Sequence, residues 1–150
     1  RMIETLKYGF VTDMVLHIVS LLQPVLEQHE MLLKQIDVIV PIPLHPRRMA
    51  ERGFNQADLI ARSIGKQRIV AVEQALRRTR YTTQQARLEK EEREKNIADV
   101  FQLENSIDVF GKNILLVDDV FTTGSTMQAA AKRLSESGAS SVIGLSVARG

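Results

Sequence analysis

The chain has 150 residues, enough for one domain with a single hydrophobic core. Hydrophobic residues make up 44% of it, which excludes a disordered chain, and the absence of cysteine excludes disulfides and thiolate sites within these residues. The formal net charge is only +2, but basic residues cluster, because residues 47–95 hold 13 Lys or Arg against 7 Asp or Glu. This middle third is expected to contact an anionic partner.

The amino-terminal part, residues 11–34, carries apolar side chains at helical intervals, which predicts amphipathic helix. Pro24 is expected to end one helix or begin the next. Residues 16–26 are too short an apolar stretch to cross a bilayer, and no signal peptide is visible, so we expect a cytoplasmic protein without a membrane span. A short buried strand is predicted at residues 37–41, and the prolines of residues 41–46 predict a loop.

The rest of the chain alternates predicted helices and strands. Helical spacing returns at residues 55–66. A second helix is predicted at residues 125–137, begun by Ser125 or Thr126 and ended by Gly138. Apolar runs predict further strands at residues 101–103, 112–117 and 142–147. This alternation indicates an α/β domain with a central, mainly parallel sheet flanked by helices.

Residues 114–126 join a buried strand to two carboxylates and a hydroxyl-rich turn. Asp118 and Asp119 come at the carboxyl end of the strand, where open α/β sheets bind ligands, and carboxylates suit vicinal ribose hydroxyls. The turn before the next helix offers backbone N–H groups and hydroxyls that suit a phosphate. Its residues are Thr122, Thr123, Gly124, Ser125 and Thr126. The pattern predicts a ribose 5-phosphate site. The alternative is that the aspartates only end a strand and the threonines only cap a helix.

The same thirteen residues resemble, position for position, the motif that type I phosphoribosyltransferases use for 5-phosphoribosyl 1-diphosphate (PRPP). That resemblance implies the type I phosphoribosyltransferase fold and Mg²⁺-dependent transfer of the ribosyl group from PRPP, with release of pyrophosphate. It also implies that PRPP itself holds most of the Mg²⁺ ligands, so no side chain is assigned to the metal. Asp118 or Asp119 is the candidate general base. The acceptor is not identified, since aromatic residues, at 5%, outline no base pocket.

Residues 77–96 contain almost no apolar side chain. They form either a solvated charged helix or a mobile excursion from the domain. Their position matches the mobile hood that closes over PRPP in the type I fold, and the resemblance therefore implies that closure brings cations to the leaving group. Arg87 is the candidate catalytic residue of this hood.

Two further segments narrow the family. Residues 41–56 (PIPLHPRRMAERGFNQ) and residues 85–101, together with Lys7-Tyr8, resemble the ComF family of competence-associated phosphoribosyltransferases. Members commonly carry a Cys-rich zinc ribbon before the Lys-Tyr pair. Because cysteine is absent here, the chain is expected to be either the ordered part of a longer protein or a ribbonless member, with residues 1–150 as one domain.

The fold implies a pyrophosphate-binding loop at residues 42–47, where a strained or cis peptide would aim N–H groups at an anion. The candidate contacts are Pro43, Leu44, His45, Arg47, Arg48 and Arg52. The alternative for each arginine is that it is an ordinary exposed residue. The alternative for His45 is that it makes no contact with the ligand. Asn55 and Gln56 are expected to cap the following helix.

The family name implies a part in DNA uptake during natural transformation, with other competence proteins as partners. An alternative is therefore a non-catalytic module on the same fold, one that binds single-stranded DNA or senses PRPP. The basic middle of the chain would track the phosphates of DNA. A DNA-binding face separate from the PRPP site would lie around Arg77, Arg78 and Arg80.

Overall fold

A four-stranded parallel sheet forms the centre of the computed structural model, which describes residues 2–79, 100–121 and 123–149. The sheet order is β2 (Ala71–Val72), β1 (Val38–Pro41), β5 (Asn113–Phe121) and β6 (Ser141–Arg149). A separate antiparallel pair consists of β3 (Leu76–Arg78) and β4 (Phe101–Leu103). The helices are α1 (Met2–Gln28), α2 (Glu30–Leu33), α3 (Pro46–Arg52), α4 (Gln56–Arg68) and α5 (Ser125–Glu136). The predicted α/β class with a parallel sheet is confirmed.

Strand β1 and residues 114–117 of β5 are buried on both faces, which explains their unbroken apolar sequences. Successive side chains of a strand point to opposite faces. Leu115 and Val117 pack in a cluster with residues of α1 and α4, whereas Ile114 and Leu116 pack with residues of α5, β3 and β4. The sheet thus separates two hydrophobic cores, with α1 and α4 on one side and α5 on the other.

The strand order places a topological switch point between β1 and β5. From β1 the chain crosses through α3 and α4 to β2, whereas from β5 it crosses through α5 to β6, on the opposite side of the sheet. β1 and β5 are direct neighbours, paired from Val38↔Ile114 to Pro41↔Val117. The crossovers from these two adjacent strands therefore lead to opposite edges of the sheet. Sheets of this class bind ligands at such a point, outside the carboxyl ends of the two strands.

The amino-terminal helix is longer than the sequence predicts. α1 continues through Pro24, so the expected break there is wrong. Proline removes one backbone hydrogen bond, but burial of Val19, Leu22 and Leu26 against the core holds the helix on both sides of it. The segment Gly9–Gln28 is long and apolar enough to cross a membrane by length and composition alone, a criterion that the core helix of a soluble protein also meets.

Several helices and strands begin or end at other residues than the sequence predicts. β5 continues to Phe121 and pairs with β6 as far as Phe121↔Arg149, so the two aspartates lie inside the strand. Pro41 ends β1, and the loop expected at residues 41–46 is confined to residues 42–45. The helix α5 has Gly124 as its N-cap, with no side-chain cap from Ser125 or Thr126. Of the predicted hood, residues 77–79 belong to β3 or follow it directly, while residues 80–96 lie outside the described residues.

Candidate functional site

Asp118 and Asp119 lie near the carboxyl end of β5, at the switch point between β1 and β5. The Oδ1 atom of Asp118 accepts a hydrogen bond from the backbone N–H of Asp119 at 2.8 Å. In the same way, Oδ1 of Asp119 accepts from the N–H of Val120 at 2.9 Å. Each carboxylate is thus oriented by the backbone of the next residue, and both side chains are partly buried. The second oxygen of each carboxylate is the one that can meet a ligand.

Asp118 has an unusual ionisation. Burial, together with the side chain and negative charge of neighbouring Asp119, raises the pKa of Asp118 to about 6, while the backbone hydrogen bond from Asp119 and the positive charge of Arg78 oppose the change. At pH 7 the carboxylate is mostly ionised, and slightly acidic conditions protonate it. Carboxyl groups with such values are frequent where an enzyme must hold or accept a proton, so Asp118 is the stronger candidate base of the pair.

The described residues between β5 and α5 include a left-handed glycine and a hydrogen-bonded pair of hydroxyls. Gly124 adopts φ +82°, a left-handed conformation that favours glycine, and it is buried. The hydroxyls of Thr123 and Ser125 are hydrogen-bonded at 2.8 Å, and the N–H of Ser125 donates to Oγ1 of Thr123 at 3.3 Å. The twelve-residue helix α5 starts here, so the positive end of its dipole faces the turn. The predicted contact Thr122 lies outside the described residues, and Thr126 is in the first turn of α5.

The loop after β1 is held by hydrogen bonds from two directions. The N–H of Ile42 donates to the carbonyl of Val117 at 2.8 Å, and the side-chain amide of Asn55 donates to the carbonyl of Ile42 at 3.0 Å. Asn55 also accepts from the N–H of Ala57 at 3.1 Å, which confirms its role as the cap of α4. Pro43 and Leu44 lie half-buried in this loop.

The expected strained peptide is not found in this loop. All described peptide bonds are trans, and Ile69 has the one positive φ among the described non-glycine residues. His45 has an ordinary structural role, because its Nδ1 accepts from the N–H of Arg47 at 3.2 Å and so caps α3. The loop keeps its shape through hydrogen bonds and proline geometry, without stored backbone strain.

The predicted pyrophosphate-binding arginines come from α3, since residues 46–52 are helical. Arg48 and Arg52 are four residues apart and therefore share one face of this helix, whereas Arg47 does not. Nη1 of Arg52 lies 4.0 Å from Oδ2 of Asp119, an exposed and loose ion pair. The structure thus brings Arg52, from the segment of residues 41–56, close to Asp119, from the segment of residues 114–126. The two segments are far apart in the chain.

Arg78 is a site residue that the sequence interpretation missed. In β3 it lies two positions after buried Leu76, so it shares the inward face of the strand. Its guanidinium lies 5.4 Å from the centroid of the Phe101 ring and attracts Asp118 electrostatically. Placing Arg78 on a separate DNA-binding face was therefore wrong. The sequence signal that could have identified it is the spacing in the strand, since Arg78 lies two residues after apolar Leu76 and therefore on the same face. Arg80 and Arg87 lie outside the described residues.

Comparison with known families identifies the family of the chain. Residues 15–149 match the phosphoribosyl transferase domain family over 135 of the chain's residues. The chain belongs to this family. The type I phosphoribosyltransferase fold expected from the motif is thereby confirmed, with its parallel sheet flanked by helices.

Curated relatives of this phosphoribosyltransferase-family chain carry competence-related names. It is 39% identical over 107 residues to the DNA utilization protein YhgH of Escherichia coli (strain K12) and 35% identical over 108 residues to Competence protein F of Haemophilus influenzae. It is also 37% identical over 102 residues to Competence protein ComFC of Bacillus subtilis. These matches cover 71%, 71% and 67% of this chain but only 46%, 47% and 39% of the relatives. The resemblance to the ComF family is confirmed, over less than half the length of each relative.

The residues of the site are compatible with a metal ion that arrives with its ligand. Among the described residues, no group of three or more acidic or histidine side chains is arranged to hold a metal. Mg²⁺ needs no such protein cage, because it usually keeps its waters and substrate phosphates as ligands. No side chain of this phosphoribosyltransferase domain is therefore assigned as a metal ligand.

Proposed function

We propose that this domain binds PRPP together with Mg²⁺ and transfers its ribosyl group to a nucleophilic acceptor. The observation that carries the proposal is the convergence of two parts at one switch point of the sheet. Asp118 and Asp119 lie near the carboxyl end of β5, before the left-handed Gly124, and Arg52 of α3 lies 4.0 Å from Asp119. A pair of acids for hydroxyls, a turn for a phosphate and cations for a diphosphate match the three polar parts of PRPP.

In this reaction the bond between the anomeric carbon and the diphosphate oxygen breaks, and the diphosphate leaves with the electron pair. The acceptor supplies the electron pair for the new bond to the anomeric carbon. Asp118 and Asp119 would hold the ribose hydroxyls next to the positive charge that develops on the ring. When bound, Mg²⁺ neutralises charge on the departing diphosphate. Arg48 and Arg52 would add forked donors on the same side.

Pyrophosphate release from PRPP is the measurement that tests this function. We expect release to require both Mg²⁺ and an acceptor, with nucleobases, ammonia and small amines as the first panel. Arg52→Gln should lower the affinity for PRPP about tenfold, because a hydrogen bond to a charged group is worth about 1.5 kcal/mol or more. The matched control is Arg62→Gln, an exposed arginine of α4 that pairs with Asp58.

Two results would contradict the proposal. The first is wild-type protein that neither binds PRPP nor releases pyrophosphate with any acceptor. The second is an equal effect of Arg52→Gln and Arg62→Gln, which would mean that α3 does not contact the diphosphate. Binding without release over the whole panel would instead favour the PRPP-sensing alternative.

A DNA-binding role is the second candidate, because the relatives are named for DNA utilization and competence. We therefore associate the protein with DNA uptake. Exposed Arg47, Arg48 and Arg52 on one short helix are the described cations best placed to meet a phosphate chain. If they do, affinity for labelled single-stranded DNA should fall steeply with salt, since each neutralised phosphate releases a counterion.

PRPP with Mg²⁺ should then displace the DNA, because its diphosphate would occupy the same arginines. The titration adds PRPP to the preformed DNA complex at low salt. DNA binding that saturating PRPP does not disturb would exclude a shared site. Absence of any binding at low salt would exclude a DNA-binding role for these residues.

A further inference from the structure

Residues 43–54 leave the core after β1 and return to it at the start of α4. This excursion, here called the α3 segment, consists of the loop after β1, the helix α3 and the two residues that follow it. It contains the candidate diphosphate contacts from Pro43 to Arg52. The structure describes every residue of α3, and none of the seven is buried. Because packing does not anchor this helix, its position depends on how the ends of the segment are held.

The α3 segment is ordered internally by its own hydrogen bonds. At the start of α3, Nδ1 of His45 accepts from the N–H of Arg47 at 3.2 Å. At its end, the N–H of Gly53, which has φ +79°, donates to the carbonyl of Met49 at 2.8 Å. These bonds join residues of the segment to one another and do not attach it to the sheet. The attachment is therefore to be sought where the segment begins and ends.

The two ends of the α3 segment are joined by the side chain of Asn55. Its Nδ2 donates to the carbonyl of Ile42, thirteen residues earlier, at 3.0 Å. Ile42 is 4% exposed, and its own N–H donates to the carbonyl of Val117 in β5 at 2.8 Å. Val117 immediately precedes Asp118 in the chain. Hydrogen bonds thus connect the strand of the acids, through Ile42, to the residue at which the segment ends.

Capping of α4 does not by itself require asparagine at position 55. Oδ1 of Asn55 accepts from the N–H of Ala57 at 3.1 Å, and the oxygens of aspartate and serine cap helices about equally well. Ionised aspartate, however, has no donor, and the serine hydroxyl is on a shorter side chain. Asparagine combines an acceptor for the cap with a separate N–H donor. The bond to Ile42 uses this donor, so it explains the part of the side chain that capping leaves unexplained.

We propose that Asn55 is a positioning residue, whose side-chain amide clips the α3 segment to the core and so fixes the diphosphate contacts relative to the acids of β5. This inference rests on the proposed function, since it takes the segment to bind a diphosphate. Asn55 acts through the segment and does not itself contact the diphosphate or the reacting atoms. With the clip in place, the arginines of α3 are ordered before the ligand arrives, and binding does not have to order them.

The direct test measures backbone order in ligand-free protein by ¹⁵N NMR relaxation. Asn55→Ser keeps an oxygen for the cap of α4 but has no group that reaches the carbonyl of Ile42. The order parameters of residues 44–54 should fall from the value of rigid backbone, about 0.85, towards about 0.6. Those of residues 57–68 in α4 should not change. Unchanged order parameters in residues 44–54 would overturn the proposal.

Calorimetry with two separate ligands supplies the functional test. Pyrophosphate with Mg²⁺ reports on the α3 segment, and ribose 5-phosphate reports on the acids and the turn at Gly124. Asn55→Ser should bind pyrophosphate about tenfold more weakly, which corresponds to the cost of ordering roughly one backbone residue. Its affinity for ribose 5-phosphate should equal that of the wild type. An equal loss for both ligands would indicate a general structural role and would overturn the proposal, as would an unchanged affinity for pyrophosphate.

Ile60→Val is the matched control for stability. Ile60 lies on the inner face of α4 and is fully buried, so loss of one methylene lowers the stability of the domain without removing either hydrogen bond of Asn55. Its affinity for pyrophosphate should equal that of the wild type, and thermal melting is recorded for every variant. If Ile60→Val binds pyrophosphate as weakly as Asn55→Ser, lowered stability explains the loss and the proposal fails.

Two further outcomes are distinguishable. If Asn55→Ser does not fold, Asn55→Asp takes its place, because aspartate keeps the cap and lacks the donor. Its order parameters then decide, since its added charge would by itself weaken pyrophosphate binding, and unchanged values in residues 44–54 would overturn the proposal. Failure of the wild type to bind either ligand would contradict the proposed function, whereas the relaxation measurement would still decide whether Asn55 holds the α3 segment.

Discussion

Replacing Asp118 and Asp119 together by asparagine is expected to lower the affinity for PRPP about 100-fold, a loss of about 3 kcal/mol. Each carboxylate would lose a charge-assisted hydrogen bond to a ribose hydroxyl, worth about 1.5 kcal/mol or more. The Oδ1 atoms accept from the backbone N–H groups of the following residues, at 2.8 and 2.9 Å. An asparagine oxygen can accept the same bonds, so the local geometry should survive. Calorimetric titration with PRPP and Mg²⁺ measures the effect.

The fold of this double variant should also survive. Because the pKa of Asp118 is raised in the folded state, ionisation of Asp118 disfavours that state as the pH rises from the ordinary value of the group to about 6. Asparagine removes this cost at neutral pH, so the melting temperature at pH 7 should not fall. The control is Asp13→Asn with Glu136→Gln, two exposed carboxylates on α1 and α5 that change the charge equally. Unchanged affinity for PRPP in the site variant would refute the ribose assignment.

Phe101→Ala is expected to lower the free energy of unfolding by about 3–5 kcal/mol. Phe101 is 1% exposed and packs in the core between the β3–β4 hairpin, the sheet and α5. Its backbone carbonyl also accepts from Nε of Arg133 of α5 at 2.9 Å. Loss of the ring would leave a cavity where three elements meet, and it would remove the platform under Arg78. Chemical denaturation at pH 7 measures the change.

Phe110→Ala is the matched control, since the same side chain is 76% exposed at that position. Substitutions of exposed residues usually change stability by about 0.5 kcal/mol or less. If Phe101→Ala costs no more than Phe110→Ala, the hairpin is not packed on α5 as described. A large loss for Phe101→Ala alone would support the hairpin as part of the domain core.

The local parts of the site could be predicted from the sequence because short-range physics specifies them. The unbroken apolar residues 114–117 indicate a strand buried on both faces, and Gly124 marks a turn that needs a positive φ. Asn55 before a helical pattern indicates a cap, because its side chain needs only a backbone N–H two residues away. Each of these signals depends on neighbours in the chain.

The wrong expectations concern features that distant residues decide. Pro24 was expected to break a helix, but the inner face of α1 packs on both sides of it. The carboxyl end of β5 was placed before Asp118, but β6 offers backbone partners as far as Phe121. A strand can continue for as long as a neighbouring strand offers backbone partners. Local sequence patterns do not show which strand that neighbour is or how far it extends.

The sequence by itself therefore determined the motif, its acids and its turn. Only the tertiary structure decided which cations face those acids. Arg78 belongs to a segment that the sequence presents as charged and solvated, because the pairing of β3 with β4, and so its burial beside Phe101, cannot be deduced from nearby residues. The order β2-β1-β5-β6 likewise brings Arg52 of α3 to 4.0 Å from Asp119. Long-range pairing and desolvation settle both arrangements, since the charge and environment of a side chain depend on what the fold brings next to it.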